Sequence, residues 1–420
     1  ELVGSIKLGV FSKSAVFISE IPKNLKFIFQ NTDLVLADRF PDKPGGFSGV
    51  PLDEKTFLLL TRWDGDLNES IVELVDLTNF NTVHSWNPDI TYINSLVDKN
   101  DPQFKNLVRD TNETRYEIVH PLLNEDGSLV FQSSSPLVKV DFCSNLIWQN
   151  SKHEFHHGNE LDSDGNIWTS INMYPFEAPE RYVGSDIDGY EDNGIAQVSQ
   201  NGEIVFERNL TNLFIANGLK HKIFASSESF QRSPFSINEV QPVLEDGPYW
   251  KAGDVFISLR HMSMSFLYRP STDKIIWKDD GKTYLQHDIN VLNDSQISIF
   301  NNNALMTHSD YLIDTNSEVL IYDFSSQEYT KYLNDALIKH EVKTFGQGRS
   351  RILPNGDLFI EETNFGRILY FNSQGKLLWE YINREDNKKV NWISWARIVY
   401  LKKDISNIEN IIENQSCEID

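Results

Sequence analysis

The sequence lacks any run of about 20 consecutive apolar residues, so no segment reads as a membrane-spanning helix. Basic residues are scarce, 38 Lys and Arg against 61 Asp and Glu, for a formal net charge of −23. A surface of that sign repels phosphate backbones, which argues against nucleic acid as a partner. Its plain consequence is solubility. Cysteine is nearly absent: Cys143 and Cys417 are the only two in 420 residues. They fit one disulfide or two inert thiols, and there is no Cys/His array for a metal. Long helical periodicity is missing as well. The chain opens without an initiator Met or a signal-peptide pattern, so Glu1 reads as the start of a processed or trimmed chain. The mixed apolar and basic stretch Val10 to Phe29 either follows a membrane anchor or packs on the domain as a helix; the second is preferred.

What is present is apolar, aromatic and repetitive. Apolar residues make up 40% of the chain, with 26 Phe, 15 Tyr and 9 Trp, enough for a large core. One unit recurs along the sequence. An alternating apolar stretch leads into a tight polar turn, two further strands follow, and a strand with a large aromatic ends the unit. Residues 353–381 show it well: a Leu-Pro-Asn-Gly turn, DLFIEET, RILYF, Asn-Ser-Gln-Gly and KLLWEY. The glycines at 356 and 375 supply the positive φ that such hairpins require.

Five more copies follow the same rule. The first runs from Val50 to Trp86, the second from IVHPLL through Asp126-Gly127 to Trp148. The third turns at Asp164-Gly165 and closes with EIVFE. The fourth contains DVFISLR and KIIW, and the fifth runs from QHDINVL to the strand around Tyr329. Four antiparallel strands per unit and six units predict an all-β fold, a six-bladed β-propeller over residues 49–401. A pair of β-sandwiches is the alternative. Residues 1–48 form a short N-terminal appendage and 402–420 a C-terminal tail, in which KDISNIENIIENQ reads as an amphipathic helix. The segment WISWARIVYL reads as one more strand, placed to close the ring with the N-terminal segment.

In a propeller the first strand of each blade lines a central channel, so residues at equal depth in different blades converge. His157 lies eight residues before Gly165, and His287 eight before Ser295, which holds the same place in its own turn. Single histidines of this kind are usually structural; the matched pair is the stronger signal. Arg260 and His261 end the strand DVFISLR, Arg349 and Arg351 open the last blade, and Asn301, Asn302 and Asn303 follow QISIF. A salt bridge on the propeller face is the plain reading of Arg260. His156 should point away from His157, because side chains alternate along a strand.

These segments resemble the PAPS-independent arylsulfotransferases over roughly residues 50 to 400. FHHGNELDSDGNIW resembles their His-His-Asp strand, ISLRHMSMSFLYRPSTDKIIW their Ser-x-Arg strand, LQHDINVLNDSQISIFNNN their Gln-His-Asp strand and Phe-Asp-Asn ending, and GRSRILPNGDLFIEETNFGRILYF their closing blade. The resemblance implies a six-bladed propeller that moves a sulfuryl group from an aryl sulfate to a phenol without a nucleotide donor or other cofactor. By position, His287 would be the nucleophile that becomes transiently sulfated, with His157 and Arg260 holding sulfate oxygens. Ser236, Asn238, His261, Arg349 and Asn301 would be substrate contacts. Asp288 is the weaker candidate for orienting a ring nitrogen. The chemistry agrees: a loose transition state makes positioning and electrostatics dominant, a neutral imidazole is a good covalent carrier, and Arg offers planar recognition of an oxyanion.

Two positions depart from the family pattern. Ser236 stands where the family has a third histidine before an Asn, here Asn238, and Asn301 replaces an Asp. A non-catalytic propeller that binds an anionic ligand or a protein partner at a cell surface is therefore the competing expectation. Calcium is a lesser one. DSDGN (162–166) and DIDGYED (186–192) space carboxylates as calcium loops do, although the first is also what a hairpin turn needs. The expected location is periplasmic or extracellular, with membrane contact only through an N-terminal anchor, and assembly into a homo-oligomer is left open.

Overall fold

The structure, a computed structural model, describes residues 35–98, 100–101, 116–133, 135–184, 190–308, 310–384, 389–415 and 417. The stretch Val10 to Phe29 and the acidic residues Asp186 and Asp188 lie outside them. Residues Leu36–Asp420 form one compact unit.

Six antiparallel blade sheets, five of four strands and one of five, make up the ring, each built from the channel outward. In blade 2 the strands are Val119–Leu123, Leu129–Gln132, Leu137–Val140 and Leu146–Asn150; in blade 3, Glu154–Leu161, Ile167–Asn172, Asn193–Val198 and Ile204–Asn209. Blade 4 has Ile237–Pro242, Val255–Leu259, Met264–Arg269 and Lys274–Asp280. Blade 5 has His287–Val291, Gln296–Asn301, Glu318–Asp323 and Glu328–Lys331, and a short hairpin, Ala304–Met306 with Tyr311–Ile313, is inserted between its second and third strands. Blade 6 has Arg349–Ile352, Leu358–Glu362, Arg367–Phe371 and Leu377–Ile382.

Blade 1 closes the ring. Its outer three strands, Phe57–Asp64, Glu69–Asp76 and Asn81–Trp86, come from the start of the unit, and its inner strand, Arg397–Val399, comes from the end. The closing strand read from WISWARIVYL thus pairs with Phe57–Asp64. The segment before blade 1 interlocks with the last blade too: Gly46–Gly49, which straddles the boundary read at residues 48 and 49, adds a fifth, outermost strand to blade 6.

Many strands read as continuous apolar runs because both faces are buried. Successive side chains point to opposite faces, and each face of a blade packs on a neighbour. Phe57 and Leu59 pack toward blade 2 with Leu129 and Phe131, whereas Leu58 and Leu60 pack toward blade 6 with Phe359 and Ile368. The same division fills the other seams, so the core is a ring of separate apolar clusters rather than one centre.

The C-terminal tail forms the helix Lys402–Asn414, which buries Ile405 and Ile408 against the seam of blades 1 and 2. Just beyond it, Cys417 is bonded to Cys143 in the turn between the outer strands of blade 2, with Cα atoms 5.3 Å apart. The one-disulfide reading of the two cysteines is the one the structure adopts.

Candidate functional site in the channel

The inner strands of blades 2 to 6 end where the backbone N–H of Asn124, Asp162, Val243, Leu292 or Leu353 donates back across the hairpin, through a tight turn in four blades and a longer loop to Asp254 in blade 4. Counting five residues back from each turn places Val119, His157, Asn238, His287 and Gly348 at one level. One residue nearer the turn lie His120, Gly158, Glu239, Asp288 and Arg349. The register therefore sets Asn238, rather than Ser236, level with the two histidines. Ser236 stands two residues further out with a positive φ of 50°, and its carbonyl receives the Arg260 N–H.

The strands are bent at this level. The ladder slips between His156 and Glu160 in blade 3 and between His287 and Ile289 in blade 5. His120, His157 and Asp288 have φ of 52°, 44° and 26°. A bulge of this kind re-aims side chains. It also corrects the expectation for His156: alternation would send it away from His157, yet their Nδ1 atoms lie 3.2 Å apart.

His287 is buried and held at both nitrogens. Asn302 donates through Nδ2 to the carbonyls of Thr344 and Gln347, which leaves its Oδ1 as acceptor, 2.6 Å from His287 Nδ1. Nδ1 therefore carries the proton and Nε2 the lone pair, which accepts the Gln347 N–H at 2.9 Å. Burial, and then the Arg260 guanidinium, hold this imidazole well below its ordinary pKa. The same two causes, in the same order, lower His157 to about 4. Burial also lowers His156 to about 3 and puts His120 well below the usual range. All four rings are neutral near pH 7.

Arg260 turns toward this mouth of the channel. Its field reaches both His157 and His287, and its Nη2 donates to the Tyr311 hydroxyl at 3.1 Å. Arg349 is buried, with its guanidinium 5.1 Å from the Trp395 ring and Nη2 3.6 Å from Asp288. Around these residues several fully buried polar atoms have no hydrogen-bond partner among the described residues: Asn238 Oδ1, Glu239 Oε2, Arg260 Nε, and Arg349 Nε and Nη1. Burial, followed by the charges of Glu160 and Asp288, pushes the Glu239 carboxyl well above the carboxylate range.

Two other expected contacts lie elsewhere. His261 is exposed, and its Nδ1 donates to the Ser233 carbonyl at 2.7 Å, because the strand has already ended at Leu259 and turned outward. Asn301 is buried but directed into its own loop: its Oδ1 receives the N–H of Tyr284 and its Nδ2 donates to Glu318. The side chain that serves the histidine is the next one, Asn302. Asp288 does not orient His287; it accepts from Ser350 N and Asn290. Of the carboxylates spaced like calcium loops, Asp162 receives the N–H groups of Asp164 and Asn166, and Asp192 those of Glu177 and Ala178. Among the described residues no group of three or more His, Cys, Asp or Glu is placed to hold a metal ion.

Sequence reasoning missed His120, Glu239, Gln347 and Tyr311, and it named Asn302 only as one of three neighbouring asparagines. His120 carried a usable signal, a histidine in an inner strand, but its bulge falls one residue nearer the turn than that of His157.

The molecule is thus a closed six-bladed propeller whose channel gathers neutral imidazoles, amides and guanidinium groups at one mouth. A family model of the arylsulfotransferases (ASST) matches residues 120–384, most of the ring, and the chain belongs to that family. No protein of curated function matches the sequence. Among solved structures, a protein of unknown function from Bacteroides caccae is 12% identical, covers 83% of this chain and 100% of its own, and superposes with a TM-score of 0.50, a likeness of fold alone. Virginiamycin B lyase from Staphylococcus aureus is 11% identical over 88% of this chain and 99% of its own, with a TM-score of 0.40, too loose to carry an argument.

Proposed function

We propose that the channel transfers a sulfuryl group from an aryl sulfate to a phenol, with His287 as covalent carrier. Family membership supports arylsulfotransferase chemistry in general. The observation that carries the finer reading is the fixed tautomer of His287: Asn302 holds the proton on Nδ1, so Nε2 keeps a lone pair, and the ring stays neutral.

In the first half-reaction Nε2 attacks sulfur and the S–O bond to the aryl group breaks, releasing a phenolate. The Gln347 N–H must leave Nε2 for this, and from the same loop it can donate to a sulfuryl oxygen instead. The imidazolium formed shares its Nδ1 proton with the Asn302 carbonyl. In the second half-reaction a phenol oxygen attacks sulfur, the N–S bond breaks, and the phenol proton is lost to solvent. Arg260 lies on the side where negative charge gathers, and a fixed cation in a site with little water is worth most in the transition state.

The disulfide supports a periplasmic or extracellular location, since such bonds persist in oxidising compartments. One observation favours the binding-protein reading, namely that both nitrogens of His287 are already hydrogen-bonded. Incubation with a panel of aryl sulfates and a phenol decides between the two. Transfer that disappears in His287→Ala is the expected result. Binding of aryl sulfates without transfer by the unmodified protein, or transfer that survives in His287→Ala, would reject the carrier role.

A further inference from the structure

The one hydrogen-bond partner of the Arg260 guanidinium among the described residues is itself a phenol. The Tyr311 hydroxyl lies 3.1 Å from Nη2, with the ring centroid 5.4 Å from Cζ. Tyr311 comes from the hairpin inserted in blade 5, an addition seen in none of the other blades among the described residues. Its ring stacks on Phe345, with centroids 5.1 Å apart and planes 10° from parallel. Phe345 opens the Phe-Gly-Gln-Gly stretch whose Gln347 N–H covers the lone pair of His287. Gly346, between them, is the point where a side chain would approach Arg260, at 3.6 Å. The same short loop thus supports an internal phenol on the cation and an internal donor on the nucleophile.

We propose that Tyr311 is an internal stand-in for the substrate's phenol oxygen and thereby sets the affinity and selectivity of the site. The inference rests on the sulfuryl-transfer reading, in which the leaving oxygen of the donor and the attacking oxygen of the acceptor pass through one position beside Arg260. A phenol oxygen that takes the Nη2 donor replaces the Tyr311 hydroxyl there, while Nε, which has no partner among the described residues, stays open to a sulfuryl oxygen. Aromatic substrates replace what is lost, a phenolic oxygen for the cation and a ring face beside the Tyr311–Phe345 stack. Aliphatic alcohols replace only the oxygen, so they compete poorly. Tyr311 acts through competition and is a specificity-determining residue, not a catalytic one.

Tyr311→Phe removes the hydroxyl and keeps the ring and its stacking, so the fold is preserved. A charge-assisted hydrogen bond that no longer has to be displaced should tighten phenol binding about 5-fold. The expected result is a KM lower by about that factor for both the aryl sulfate and the phenol, with kcat within about two-fold. If Tyr311 instead props Arg260 in place, KM for both substrates rises and kcat falls, and the proposal is overturned. A KM that falls for the donor alone overturns it too, because it would mean the hydroxyl occupies a sulfate-oxygen position. Calorimetric titration of the full chain with 4-nitrophenol gives a readout independent of turnover. Tighter binding in Tyr311→Phe supports the stand-in, and equal or weaker binding rejects it, whether or not the unmodified protein transfers sulfate. Absence of transfer in the unmodified protein counts against the sulfuryl-transfer reading alone.

Discussion

Arg397 and Arg349 enter the channel from the inner strands of adjacent blades, and their surroundings could hardly differ more. Arg397 donates from Nε to the Pro121 carbonyl at 2.7 Å, from Nη1 to Glu160 at 2.7 Å and from Nη2 to the Asn159 carbonyl at 2.6 Å. It borders a cavity of about 240 Å³ lined by Leu122, Leu161, Arg351 and Ile408 under the C-terminal helix. Arg349 has a single loose ion pair, to Asp288, and two buried nitrogens without a partner among the described residues. At one end every nitrogen of the Arg397 guanidinium has a partner, under a helix that a disulfide fastens. The other holds neutral rings and unpaired polar atoms. Buried polar groups without partners cost free energy, and retaining several around one imidazole is a mark of a site kept ready for a ligand. The lesson is that burial alone does not separate these two guanidinium groups; how completely each is bonded does.

The comparison is broken most forcefully at the saturated end. Arg397→Met should strip Glu160 of its cation and leave two backbone carbonyls unpaired, costing about 3–5 kcal/mol in stability. Chemical denaturation should show the loss, while KM in the surviving folded fraction stays unchanged. At the open end, Arg260→Lys should leave stability within about 0.5 kcal/mol and lower kcat/KM by about 100-fold, because a point charge does not reproduce the planar fork. A reversal of these two outcomes would mean that the ends have been assigned the wrong way round.

The disulfide offers a smaller effect. It closes a loop of 274 residues, yet the terminal helix it fastens buries only Ile405 and Ile408. Cys143→Ser should therefore cost about 2 kcal/mol, less than loop length alone would suggest, and leave transfer rates intact. Thermal melts and initial rates on the same preparation check both halves of that expectation.

The pH dependence of stability sharpens the picture of the open end. The lowered folded-state values of His120, His156, His157 and His287 mean that the unfolded chain binds protons which the native state refuses. Their neutral burial is free of charge cost above about pH 6.5, and stability is lost as the pH falls from there, down to about 4 for His157 and about 3 for His156. Each ring contributes at most about 1.4 kcal/mol per pH unit. Glu239 has the opposite sign: its raised value gives stability that is complete below the ordinary carboxylate pKa and lost as the pH rises through its folded value. Urea denaturation at pH 7 and pH 5 should show a drop that becomes smaller in His156→Gln.

Much of this architecture is legible in the sequence, for definite reasons. Hairpin turns with glycine at fixed intervals and strands apolar on both faces specify blades, and counting back from those turns brings His157 and His287 to one level. The closing strand is legible because it is an extra strand left over after six units. What escapes is whatever depends on local departures from regular strands or on distant pairing. Positive φ at His157 turns its neighbour His156 toward it, against simple alternation. Asn302 rather than Asn301 reaches His287 because the ladder ends at Asn301, where loop bonds claim the side chain. Glu239 looks in sequence like any polar residue of an alternating strand; its raised pKa comes from burial, and then from the acids Glu160 and Asp288 that only the fold brings beside it. Tyr311 belongs to an insertion outside the repeat, so no counting rule reaches it.

The central claim is that the amide-held imidazole of His287 is the sulfuryl carrier. Its most direct test is intact-mass measurement of the full chain after brief exposure to an aryl sulfate without acceptor, followed by fragmentation to locate the adduct. The account predicts one added sulfuryl group on the peptide containing His287, its loss on addition of a phenol with formation of the new aryl sulfate, and no adduct in His287→Asn. An adduct that persists in His287→Asn, or steady transfer by the unmodified protein with no adduct on His287 at any time point, would contradict it.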